Sequence, residues 1–257
     1  MSEMSPYRAL LTVDASGFGE QPDALLPFLH HEIHAALTSA CERSSLKEPW
    51  ESVSLLQRPG DELVALLPVE TLPLLVHPFL DNLQDELART DQRVHDEDRG
   101  PRLRLRAALH VGSVEDDGSG TTGIARAVND VHRLLNCDPL RDALCDSDPD
   151  VTFLAAIISS EAFSRYVEGG RTSLDGSRFT KVRAKAKKFD QPAWVYVPRP
   201  SRLPEQAVPA TPQEGAAGEL DLREVGGTAP LKAIICPEFR ARKRFAETRS
   251  GSRRRTT

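Results

Sequence analysis

Basic residues do not outnumber acidic ones in this chain. Its 257 residues carry 33 Lys and Arg against 38 Asp and Glu, a formal charge of −5. A mildly acidic surface does not suit a phosphate backbone, so nucleic-acid binding is not expected, and an anionic small molecule would have to be held by local cations. No apolar run approaches the roughly 18 residues that a membrane span needs, and the opening MSEMSPYRALL has no signal-peptide layout. The four cysteines, Cys41, Cys137, Cys145 and Cys236, show neither a CxxC nor a Cys/His metal spacing. That pattern excludes an evident zinc site and makes reduced thiols in the cytoplasm the expectation.

What is present is a length sufficient for a sizeable core and a clear alternation of patterns. Apolar runs at 9–13, 53–57, 62–68, 103–114, 151–158 and 193–198 read as strands, as does the stretch near 180–184. The second and third flank Pro59-Gly60, a hairpin turn signal. Helical periodicity runs through Leu25, Leu29, Ile33 and Leu37, through Leu74, Leu75, Phe79, Leu83 and Leu87, and over 123–136, with shorter helices after Asp138-Pro139 and from Ser160. The charged stretch 93–101 reads as an exposed loop. This order predicts an α+β fold with one mixed sheet covered by helices. Beyond residue 199 the composition turns to proline, glycine and a basic end, too poor in apolar residues to offset its ordering entropy. The chain therefore divides into a domain at 1–199 and a flexible, disordered tail at 200–257, within which LKAIICPEF (231–239) has the makings of a short docked element.

Two groups of polar residues stand out from this pattern. Asp14 closes the first strand in VDASGFG, and Asp61 follows the hairpin turn in RPGDEL. If that strand lies beside the hairpin, the two carboxylates approach one another, and at ~4 Å they would repel by roughly 4 kcal/mol at an effective dielectric of about 20. A shared proton or a bound divalent cation relieves such a pair. In GIARAVNDVHRLLN, Ile124, Val128, Val131 and Leu135 form an apolar stripe, and Asn129 and Arg133 share the opposite face, about 5–6 Å apart. Taken singly, each Asp also fits a turn or cap, and the Asn/Arg pair also fits a solvated face. His110 reads as a strand histidine, and His30, His31 and His34 as a solvated helix face without a third metal ligand.

In combination these stretches say more. VDASGF, GDEL, RAALHVGSV, GIARAVNDVHRLL and AKKFDQPAWVY occur in one order that resembles the class III nucleotidyl cyclases, the adenylyl and guanylyl cyclase catalytic homology domain, over about residues 7–198. The resemblance implies a ferredoxin-like mixed sheet and a reaction in which the 3′-hydroxyl of a nucleoside triphosphate attacks its own α-phosphate, releasing pyrophosphate. It implies Asp14 and Asp61 as ligands of two Mg²⁺ or Mn²⁺ ions per site, Asn129 and Arg133 as catalytic groups, and Lys187 as a triphosphate ligand. Phe18 belongs to the Asp-x-x-Gly-Phe motif, and Gln57 and Thr122 hold the base-reading positions. Gln57 can donate and accept, and Thr122 is of adenylyl type, so ATP is weakly favoured while GTP and pyrimidine nucleotides stay open. The resemblance further implies a homodimer whose sites take their metal carboxylates from one chain and the Asn/Arg pair from the other. The competing expectation is a cyclase-like protein that binds nucleotide or a partner without turnover, favoured by the unusual Gln57/Thr122 pair and by Lys188 where glycine is common.

Overall fold

The computed structural model describes residues 7–57, 62–96, 102–114, 126–186 and 189–202. Within them β1 (Tyr7–Ala15) leads through α1 (Leu26–Arg43) and the short α2 (Lys47–Glu51) to β2 (Ser54–Gln57) and β3 (Leu63–Pro68). The turn α3 (Leu72–Leu74) and the helix α4 (Leu80–Asp96) then return the chain to β4 (Leu105–Ser113). Next come α5 (Arg126–Leu135), α6 (Asp138–Cys145), β5 (Leu154–Ser159), α7 (Ser160–Ala162), β6 (Thr180–Ala186) and β7 (Phe189–Tyr196). The seven strands form one sheet in the order β2-β3-β1-β4-β5-β7-β6. Its first four strands are antiparallel neighbours, with α1 between β1 and β2 and α4 between β3 and β4 in the chain, the ferredoxin-like arrangement, and the parallel β4–β5 pair makes the sheet mixed.

Strand alternation divides the core into two layers. Ala9, Leu11 and Val13 of β1 point to the α1 and α4 side, where Leu29, Ile33, Leu37, Leu80, Leu83 and Leu87 meet them. Leu10 points to the other side, among Val128, Val131, Leu135 and Leu140 of α5 and α6. β5 is buried on both faces, which is why its sequence reads as an unbroken apolar run. Gln84, fully buried in α4, accepts from the amides of Phe153 and Leu154 at 2.9 Å each and donates to the Val151 carbonyl at 3.0 Å. One side chain thus satisfies the exposed backbone at the entrance to β5 and fixes α4 against it.

Three predicted boundaries differ from the structure. The second amphipathic helix does not run from Leu74: His77 is extended at φ −156°, ψ 128°, and regular α-helix begins only at Leu80. Pro78 explains this, since the residue before a proline is pushed out of the helical region. α4 continues to Asp96, so 93–96 is helical rather than loop, and Arg93 donates to the mostly buried Glu32 of α1 at 2.6 Å. β5 begins at Leu154, three residues later than the apolar run suggested, because Asp148 to Thr152 close turns on their own backbone. The expected tail beyond 202, including 231–239, lies outside the described residues.

Gly112 allows α5 its close seat on β4. A Cβ at this position would lie 2.6 Å from the Ala127 Cβ. Gly112→Val is expected to destabilise the fold by about 2 kcal/mol through overpacking, read as a lowered urea midpoint with an unchanged slope.

Candidate functional site

The face of the sheet under α5 carries polar residues at one end. Asp14 and Arg106 are directly opposed across β1 and β4 and lie on the same face. Their side chains form an ion pair with little exposure, the Arg106 guanidinium donating to the Asp14 carboxylate. Antiparallel pairing of β1 with β3 sets Val13 opposite Leu63, so the strand beside Asp14 is entered from Glu62. Adjacency of the first strand and the hairpin, the condition on which the two-carboxylate reading rests, is met. Asp61 itself lies outside the described residues, as do Thr122 and Lys187. Gln57 is the last residue of β2, paired in register with Leu63. Phe18 opens a short helical turn after Gly17 (φ +74°) and packs, partly buried, on the core.

α5 divides as its periodicity predicts. Val128, Val131 and Leu135 are fully buried, while Asn129 and Arg133 are exposed on the outer face. Arg133 Nη1 donates to Asp130 at 2.9 Å, and its guanidinium carbon lies 5.8 Å from the centre of the Phe189 ring. Asp130 is itself mostly buried and has a second cation, Arg126 Nε, at 3.6 Å. The helix therefore presents a guanidinium whose direction is set from two sides by a carboxylate and an aromatic face. Asp14 is held by β4 and Arg133 by Asp130 and β7, so within one chain the strand-end carboxylate and the helix cation each have their own support.

Three further residues, Arg106, Phe189 and Asp130, support the site. Arg106 is revealed only by strand register, and Phe189 only by the return of β7 beside α5. Asp130 carried a readable signal, since residues three apart on a helix are neighbours. His110, on the same face of β4, is half-buried, and burial pushes its imidazole below the ordinary value against the opposing pull of Asp130 and Glu161. It is neutral near pH 7, consistent with a packing role. His30 and His31 are exposed on α1, with the His30 and His34 rings 6.2 Å apart. No group of three metal-ligating side chains occurs among the described residues. A groove of about 410 Å³ between α6 and the β6–β7 edge, lined in part by Pro139, Val182, Val195 and Arg202, contains none of the predicted site residues.

No family model and no curated protein matches the sequence. Solved structures do. A bacterial light-regulated adenylyl cyclase superposes with a TM-score of 0.50 at 11% identity, covering 76% of this chain and 53% of its own. The fold is that of a class III cyclase catalytic domain. The adenylyl cyclase CyaB from P. aeruginosa (TM-score 0.48, 14% identity, 74% of this chain and 92% of that one) and the guanylyl cyclase Cya2 (0.46, 14%, 76% and 93%) are also similar. Within this fold Asp14 is the penultimate residue of the first strand, and Asn129 and Arg133 occupy the outer face of the helix packed on β4. Among the described residues, no helix is long and apolar enough to cross a membrane.

Proposed function

We propose that the chain is a nucleotidyl cyclase that converts a nucleoside triphosphate to a 3′,5′-cyclic nucleotide and pyrophosphate at sites shared between two copies. The observation that carries this reading is the conjunction, on a cyclase fold, of a poorly exposed carboxylate at the end of β1 with an exposed amide and guanidinium on the outer face of an otherwise buried helix. Carboxylate oxygens are hard donors suited to Mg²⁺ or Mn²⁺, and Asp14 with Asp61 would hold the ions. When bound, two such ions stabilise charge on the attacking and leaving oxygens of an in-line displacement. Arg133 meets the charge that develops on the α-phosphate, with Asp130 and Phe189 limiting its rotamers before substrate arrives. Asn129 orients the ribose, Lys187 binds the β- and γ-phosphates, Gln57 and Thr122 face the base, and Phe18 is a further substrate contact. ATP is the first nucleotide to test. A homodimer supplies Asp14 and Asp61 from one chain and Asn129 and Arg133 from its partner.

A second reading has one observation in its favour. The Arg106 guanidinium already neutralises the Asp14 carboxylate, as suits a protein that binds nucleotide or a partner without turnover. Incubating the protein with Mn²⁺ or Mg²⁺ and each of ATP, GTP, CTP and UTP separates the two. Stoichiometric pyrophosphate and cyclic nucleotide from one of them is the expected result; nucleotide binding without product from any favours the second reading.

A further inference from the structure

Beside the residues just assigned, two others meet across the fold. His132 precedes Arg133 on α5, and Glu62 precedes Leu63 at the entrance to β3. Seventy positions apart in sequence, they are joined by a contact between His132 Nδ1 and the Glu62 carboxylate. The side chains are 12% and 21% exposed, so water competes little for either group. His132 Nε2 is buried without a partner, which leaves the imidazole committed to this one contact.

The rest of α5 is held to the sheet by Val128, Val131, Leu134 and Leu135, whose apolar contacts are non-directional and tolerate small slides and rotations. A hydrogen-bonded pair in a poorly hydrated place is directional, and losing one partner leaves the other with an unmet polar group. Its two ends also lie next to the two halves of the proposed site. Glu62 follows Asp61 in the chain and enters the strand whose Leu63 faces Val13, the neighbour of Asp14. His132 adjoins Arg133.

We propose that the Glu62–His132 pair is a positioning link. Within each chain it fixes the entrance of β3, and with it the metal-binding carboxylates, against the helix that carries Asn129 and Arg133. The proposal rests on the cyclase reading for what the link positions. In a dimer with shared sites the two ends serve different sites, so each chain's link holds both sites in mutual register. Neither residue touches the reacting atoms.

Full-length His132→Ala, Glu62→Ala, the double variant and Glu62→Gln provide the test, with Mn²⁺ alone as probe. Amide exchange is followed in peptides covering 62–68 and 126–135, and Mn²⁺ binding by electron paramagnetic resonance. Each alanine variant is expected to speed exchange in both peptides by about fivefold, with β5 unchanged, and to weaken Mn²⁺ binding by about tenfold, as lost supports of metal ligands do. The double variant should lose no more than either single one. Glu62→Gln, which keeps the shape and an accepting carbonyl, should stay within about threefold of the parent in both readouts. Exchange at parental rates in both single variants, or losses that simply add in the double, would overturn the link. If the parent protein neither binds Mn²⁺ nor makes product while exchange responds as expected, the link stands and the cyclase reading falls.

Discussion

Arg133→Ala is expected to lower kcat for cyclic nucleotide formation by about 10²–10³, the usual consequence of removing one preorganised donor from a developing negative charge. The loss should fall on kcat more than on KM, because the guanidinium is needed most where charge grows, in the transition state. Stability should barely respond. The Arg133 side chain is 45% exposed, its ion pair with Asp130 lies within one helix turn, and Arg126 still faces Asp130 after the change. A partly exposed pair of this kind contributes about 0.5 kcal/mol, and the contact with Phe189 a similar amount. Arg133→Lys separates charge from shape, since a lysine keeps the cation and loses the planar fork; it should recover only a small part of the rate. Initial rates of pyrophosphate release, set beside urea unfolding midpoints, read both effects on one preparation. Wild-type turnover by Arg133→Ala would remove the guanidinium from the chemistry and overturn the cyclase assignment.

The division of α5 into a buried and an exposed face was legible from its sequence because helical period and burial are the same information. Val128, Val131 and Leu135 recur at the spacing of one face, and burial follows. Proline chemistry was equally readable in principle, and Pro78 breaks the predicted helix where its ring requires. The charged run after Arg93 misled because charge density is a composition and says nothing of partners. Glu32 on α1 supplies the partner that lets Arg93 remain on a helix. The same limit hid Arg106. Nothing in LRLRAALHVGSV distinguishes the arginine that will face Asp14 from its neighbours; only the β1–β4 register does. The cross-fold contact of Glu62 with His132 is likewise a product of topology, since seventy positions separate the two residues and only the strand order brings them together. Local residue patterns thus disclosed which faces are apolar and which side chains are candidates. Their supports are non-local.

A mixture of two inactive chains should be active. Asp14→Asn is expected to abolish metal-dependent turnover, and Arg133→Ala to lose nearly all of it. Asparagine is chosen over alanine because it keeps an oxygen that accepts from Arg106, a buried cation costly to strip of a partner. If each site takes Asp14 from one copy and Arg133 from the other, a heterodimer of the two variants has one site with both lesions and one with neither. Random pairing of equal amounts makes half the dimers mixed, so activity should recover to about one quarter of the parental value. The recovery should fall on dilution, as pairing does. If both groups served a site within one chain, every site in the mixture would carry a lesion at any concentration. The supports found for Asp14 on β4 and for Arg133 on α5 and β7 give each half-site an anchor that persists when the other is mutated, and this is what makes complementation a fair test. Rates measured across a concentration series of the mixture, with each variant alone as control, decide between shared and private sites; silence at the highest concentration would rule the shared arrangement out.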